Sequence, residues 1–286
     1  MTIAVTAASG NLGPLVVEEL LSRGVRPSHI VAVVRDLARA DAMAAQGVTI
    51  RQGNYDNPPS LAAALEGVDR VLVISGSELG RRVQQHANAI DAARDAGVRL
   101  VAYTSVLRAG EATVNPLVGE HVGTERYLED SGLPFVILRN GFYTENYADQ
   151  ARQALASGEV LTSAGDGRTA SASRRDFAAA AATVLTTPGH EGKRYELAGD
   201  SGWTMHDLAE VIGRIGARRV HARQVDAASH LESLLGAGVP QPYAEFAVAL
   251  DQAVRVGELD TAGDDLARLA GRATTPLEEG LRAAMS

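Results

Sequence analysis

The sequence predicts an α/β fold: a doubly wound parallel sheet with helices on both faces and a smaller, mostly helical C-terminal lobe. Three observations carry this. Short apolar runs alternate with helix-periodic segments along the first 140 residues, the pattern of parallel strands joined by crossover helices. The strand runs are apolar throughout rather than alternating, as in a sheet covered on both faces. A glycine-containing turn, VTAASGNLGP (5–14), separates the first strand from the first helix.

The elements follow in order. TIAVT (2–6) is a strand, and in GPLVVEELLSRG (13–24) Leu15, Val16, Leu20 and Leu21 recur at helical spacing. Pro14 near the start of that helix and Gly24 just past its end sit where each is best tolerated. HIVAVVR (29–35) is a second strand, ARADAMAAQG a helix, VTIRQGNY (48–55) a third strand, PSLAAALEG a helix and RVLVISG (70–76) a fourth strand. QHANAIDAARDAG is helical, RLVAYTS (99–105) a strand, GEHVGTERYLEDSG (119–132) a helix and PFVILRN (134–140) a strand. Beyond residue 141 the rhythm loosens. RRDFAAAAATVLTT (174–187) reads as a helix and RYELAG (194–199) as a strand, with mostly helical sequence after them. The expected organisation is a nucleotide-binding domain over 1–150, with 174–199 returning to it, and a lobe built from 151–173 and 200–286.

Composition narrows the function. Hydrophobic residues make up 45% of the 286, enough for a sizeable core. The net charge of −8 lacks the basic excess of a nucleic-acid binder. There is no cysteine, which removes disulfides, thiolate metal sites and a cysteine nucleophile and fits a reducing cytoplasm. No secretory pattern opens the chain and no apolar run is long enough to span a bilayer, so neither export nor membrane insertion is expected. Of 27 basic residues only Lys193 is lysine, an Arg bias that with abundant Ala and Gly suggests a GC-rich bacterial genome. His residues with metal-ligand spacing are absent from the sequence, and no metal is expected.

The turn at 5–14 reads as the phosphate loop of a Rossmann-type dinucleotide site, Gly-x-x-Gly-x-x-Gly, with Ala7 in place of the first glycine. Gly10 and Gly13 can still provide close backbone approach and helix–strand packing, and the first helix aims its N–H groups at a pyrophosphate. A Cβ at Ala7 is tolerable at negative φ and costly at positive φ, and it stands where it can crowd a cofactor. The second strand ends in Arg35 rather than an acidic residue, with Arg39 one turn on and Asp36 between them. Arginine there favours the 2′-phosphate of NADPH, with NADH as the lesser choice.

With these residues in view, the chain resembles the NmrA-like branch of the atypical short-chain dehydrogenase/reductase superfamily, its quinone- and triphenylmethane-reducing members in particular. The resemblance spans nearly the whole chain and is carried by SHIVAVVRDLARA, AAQGVTIRQGNYDN, QHANAIDAARDAGV, AYTS, LRNGFYTENY, AGDGRTASASRRDFAAAAA and GHEGKRYELAGDSGWT. It implies NADPH in a cleft at the sheet edge, held by Thr6, Ala7, Ala8, Ser9, Gly10, Asn11 and Leu12, by Arg35 and Tyr55, by Ser75, Gly76 and Ser77 after the fourth strand, and by Thr104. It places Asn140, Gly141, Phe142 and Tyr143, and the segment as far as Asn146, on the nicotinamide and substrate side. The implied substrate is a small aromatic or quinone molecule; the sequence does not settle the oligomeric state, and a homodimer is among the assemblies it leaves open.

Ordinary short-chain dehydrogenases use Tyr-x-x-x-Lys, and no such pair exists here: Lys193 has no tyrosine four residues before it, and Arg126 stands where the quinone-reducing members have lysine. Arginine does not exchange a proton near neutral pH, which disfavours reduction of a simple carbonyl. A quinone needs less help, because its reduced form is aromatic. The protein must mainly hold two flat rings together and offer donors to the developing oxyanion. Tyr143 and Asn140 are the candidates for that work, with His121 as an alternative acid. Tyr147 is a further aromatic surface, and His86 reads as structural. Two other functions fit the same residues: a tailoring enzyme for an aromatic polyketide quinone or anthrone, and a non-catalytic redox sensor that binds dinucleotide without turnover.

Overall fold

The structure is a computed structural model that describes residues 1–260 and 263–286. In chain order its elements are β1 (Ile3–Val5), α1 (Gly13–Ser22), β2 (Ile30–Val34), α2 (Asp41–Ala45), β3 (Thr49–Gln52), α3 (Pro58–Leu65), β4 (Arg70–Val73), α4 (Arg82–Asp95), β5 (Leu100–Val106), α5 (Val118–Asp130), β6 (Phe135–Asn140), α6 (Ala148–Ser157), β7 (Glu159–Thr162), α7 (Arg174–Thr186), β8 (Lys193–Leu197), α8 (Met205–Gly216), β9 (His221–Gln224), α9 (Ala227–Gly236), α10 (Gln241–Arg255), α11 (Asp265–Ala270) and α12 (Leu277–Met285). Seven strands form one parallel sheet in the order β3-β2-β1-β4-β5-β6-β8. The order reverses at β1 and β4, the switch point where such sheets open a crevice at the carboxyl ends of their strands.

The uninterrupted apolar strands are explained by two cores. Ile3 and Val5 of β1, and Ile30, Ala32 and Val34 of β2, point to one face and meet α1, α7 and α11. Ala4, Val31 and Val33 point to the other face and meet α3, α4 and α5. Each strand alternates its side chains between two buried faces, so both sets must be apolar. The alanine run of α7, Ala178 to Ala182, is buried against the first face, where small side chains let α7 lie close to α1. A capping box of Ser173 and Asp176 starts α7.

A third core, with Tyr147, Trp203, Leu208 and Val254 among its members, holds α6, α8, α10 and α12 together. Two departures from the expected organisation stand out. β7 and β9 pair in parallel as a separate two-stranded sheet in a region read as helical. The lobe also does not keep all of 200–286: α11 returns to the main sheet, where Leu266 and Leu269 pack beneath α7 and β8. Among the described residues no helix is long and apolar enough to cross a membrane.

Candidate active site

The crevice at the switch point is a cleft of about 710 Å³, within the roughly 300–1,000 Å³ usual for ligand sites. The loop from β1 to α1 forms its floor through Thr6, Ala7, Ser9, Gly10, Asn11 and Leu12. Ala7 has φ of +46°, the left-handed conformation that costs an L-residue roughly 1–2 kcal/mol. The motif's first position thus does require what glycine provides, and this chain tolerates alanine there. Gly13 is under the opposite constraint: a Cβ on it would lie 2.5 Å from the Ala8 Cα. Only glycine lets α1 start this close to the strand end. A Cβ on Gly10 would lie 3.1 Å from the Ala7 carbonyl oxygen, whose bond from the Gly10 N–H closes the turn at 2.9 Å.

The walls are fixed by polar bonds beneath them. The Thr6 and Tyr55 hydroxyls lie 2.5 Å apart, Tyr55 donates to the Ile74 carbonyl at 2.7 Å, and the Ile74 N–H donates to Thr6 Oγ1 at 3.0 Å. This ring ties the ends of β1, β3 and β4 together. The following loop is held just as firmly. Ser75 N–H donates to Thr104 Oγ1 at 2.9 Å, Gly76 N–H donates to His86 Nε2 at 2.9 Å, and Arg82 Nε donates to the Gly76 carbonyl at 2.7 Å. Tyr55, Ser75, Gly76 and Ser77 line the cleft, while Thr104 sits behind Ser75 and Ala8 is fully buried under the loop.

One rim is charged. Arg35, Asp36 and Arg39 follow β2 and all line the cleft. Asp36 is occupied locally, its carboxylate accepting the Ala38 N–H at 3.0 Å to start a short 3-10 turn. At the other end Tyr143 and Arg174 close the cleft. Tyr143 stacks edge-on against Phe177, with the Arg174 guanidinium 4.8 Å from its ring centroid. Asn140 Nδ2 donates to the Tyr143 hydroxyl oxygen at 3.0 Å, and Asn140 Oδ1 is buried with no hydrogen-bond partner among the described residues. Burial pushes the Tyr143 phenol up; Asn140 and Arg174 pull it down, so the group stays protonated near neutrality.

Several expected site residues lie elsewhere. His121 is not in the cleft. It is buried, with Nδ1 2.7 Å from the Tyr103 hydroxyl. Burial, with Arg82 and His86 adding repulsion, lowers its pKa to about 3. It is therefore neutral at physiological pH and is corrected from candidate acid to core residue. Phe142 turns away from the cleft and packs in the lobe core with Tyr147, their ring centroids 5.2 Å apart. Gly141 serves packing: a Cβ there would lie 2.9 Å from the Leu197 carbonyl. Asn140 acts from behind Tyr143 rather than lining the cleft. Arg126 is exposed on α5 and lines no part of the cleft.

Arg174, Glu78 and Gln85 line the cleft and were not singled out from sequence. Their signal was positional. Arg174 opens a crossover helix, Glu78 lies on the connection from β4 to α4, and Gln85 lies in the first turn of α4. These places fall at the carboxyl edge of a parallel sheet, where ligands bind.

The strand–loop–helix floor, the glycine at 13 that no other residue could replace and the basic rim together define a dinucleotide-binding protein. Residues 7–188 match the NAD(P)H-binding family, and the chain belongs to it. Among curated proteins it is similar to Quinone oxidoreductase 2 of Escherichia coli (strain K12), 44% identical over 98% of this chain and 97% of that one. Among solved structures it is similar to the NADPH-dependent quinone oxidoreductase of E. coli complexed with NADPH, at 43% identity, TM-score 0.95 and full coverage of both chains. The triphenylmethane reductase of Citrobacter sp. complexed with NADP(H) matches at 40% identity and TM-score 0.93, covering 99% of this chain and all of that one.

Proposed function

We propose that this chain is an NADPH-dependent oxidoreductase that transfers hydride to a quinone or a similar flat, conjugated acceptor. The observation that carries the reading is a single continuous cleft, with arginines at one rim and a protonated tyrosine at the other end. The high, full-length similarity to a quinone oxidoreductase and a triphenylmethane reductase supports it.

The β1–α1 loop and the α1 N-terminus would hold the pyrophosphate, and Arg35 with Arg39 the 2′-phosphate. NADPH, when bound, supplies the hydride. The chain's own residues do the rest. Asn140 occupies the Tyr143 oxygen as a donor, so the hydroxyl proton of Tyr143 is free to point at an acceptor oxygen. As negative charge develops on that oxygen, Tyr143 gives up its proton, and Asn140 and Arg174 stabilise the phenolate left behind. Tyr143 then recovers a proton from water.

The test is NADPH oxidation, followed by the loss of reduced-nicotinamide absorbance, with a panel of benzo-, naphtho- and anthraquinones. Turnover with at least one quinone class, faster with NADPH than NADH, is the expected result. Dinucleotide binding without turnover on any acceptor would replace this reading with the sensor.

A further inference from the structure

The cleft carries a feature that neither the loop nor the hydride step explains. Arg35 and Glu78 both line it, one after β2 and one after β4, with β1 between those strands in the sheet. Their side chains meet across the cleft, with Arg35 NH1 3.8 Å from Glu78 Oε1. The Glu78 carboxylate is not loose. Its other oxygen accepts from Arg81 NH1 at 3.1 Å and from Gln85 Nε2 at 3.3 Å. Arg81 and Gln85 are tied in turn to Asp56, at 2.6 Å and 3.2 Å. One oxygen of an anchored carboxylate is thus aimed at the arginine that a 2′-phosphate would need.

We propose that Glu78 sets the preference between phosphorylated and unphosphorylated dinucleotide. This rests on the reading of Arg35 as the 2′-phosphate contact. Any anion that reaches the Arg35 guanidinium competes with Glu78 for it and meets like-charge repulsion from the carboxylate. A ribose 2′-hydroxyl meets the reverse situation, because a carboxylate is the acceptor such a hydroxyl seeks. Dinucleotide-binding folds usually place that carboxylate at the end of the second strand. Here Asp36 commits one carboxylate oxygen to its own turn, and Glu78 offers a second carboxylate from across the cleft. The pair makes the rim serviceable for both cofactors, with Arg35 favouring NADPH and Glu78 limiting how strongly.

The experiment is calorimetric titration of NADPH, NADH and their oxidised forms into the wild type, Glu78→Gln and Arg35→Gln, with thermal melts to confirm that each variant is folded. Glu78 is half-exposed, so the glutamine variant should melt like the wild type. Glu78→Gln should bind NADPH about fivefold more tightly and NADH several-fold more weakly, the scale expected of exposed charge contacts. If Glu78→Gln leaves the NADPH-to-NADH affinity ratio unchanged while Arg35→Gln lowers it, the role of Glu78 is refuted and that of Arg35 stands. If Arg35→Gln also leaves the ratio unchanged, the 2′-phosphate reading fails and this inference fails with it.

Discussion

Ala7 and Tyr143 carry most of what single residues decide here. Ala7 holds a φ of +46° at the start of the phosphate loop. Sequence alone identified the position and posed the alternative, but a residue's type does not reveal its own dihedral. Replacing it by glycine removes the steric cost, and this outweighs the extra freedom glycine gives the unfolded chain. Ala7→Gly should therefore stabilise the protein by about 1 kcal/mol and raise the melting temperature by about 2 °C. Because Ala7 lines the cleft, NADPH should also bind more tightly. A variant that melts lower or binds more weakly would contradict both the strain and the crowding. Tyr143 and Phe142 were read together as aromatic surfaces for substrate. Tyr143 has φ −81° and ψ 130°, and in extended backbone adjacent side chains point to opposite sides. That alternation sends Phe142 into the lobe core and Tyr143 into the cleft.

At the scale of elements, α4, α5 and β5 meet through a buried polar stack of His86, Tyr103, His121 and Thr124. His86 Nδ1 lies 3.0 Å from Thr124 Oγ1, and the Tyr103 hydroxyl lies 2.7 Å from His121. The spacing 121, 124, 125, 128 was legible as one helix face, and all four of those residues are buried. Read that way, it would have placed His121 against the sheet rather than in the cleft. Burial, aided by the charge of Arg82, lowers the His86 pKa to about 4, and His121 is lower still. Both are neutral in the folded protein, whereas the unfolded chain takes up protons near pH 6.5. Between those values the unfolded state binds more protons, so stability falls as pH falls, by about 1.4 kcal/mol per pH unit for each histidine. Melting temperature should drop steeply from pH 6.5 towards pH 4.5, and the slope should lessen in His121→Gln. A flat profile over that range would show that the stack does not stay neutral. The short strands β7 and β9 were not legible in EVLT and HARQ, because four-residue, largely polar segments carry no periodicity.

At the scale of the whole molecule, the parallel sheet and its two-faced core were legible because each strand repeats the same signal. The lobe was less so, because its helices pack on one another and on the sheet edge in a non-repeating arrangement. Sequence could not show that α11 leaves the lobe to complete the first core. What the assembled molecule adds is continuity: the arginine rim and Tyr143, more than 100 residues apart in sequence, line one cleft. In the proposed reaction the two ends cooperate, one holding the dinucleotide and the other serving the acceptor. The measurement that tests it most directly is a comparison of Tyr143→Phe with the wild type, reading kcat with a reducible quinone beside the Kd for NADPH. In Tyr143→Phe kcat should fall about a hundredfold, the low end for a general acid because the product is aromatic, with NADPH affinity unchanged. A kcat equal to that of the wild type, or a loss confined to NADPH binding, would contradict that cooperation.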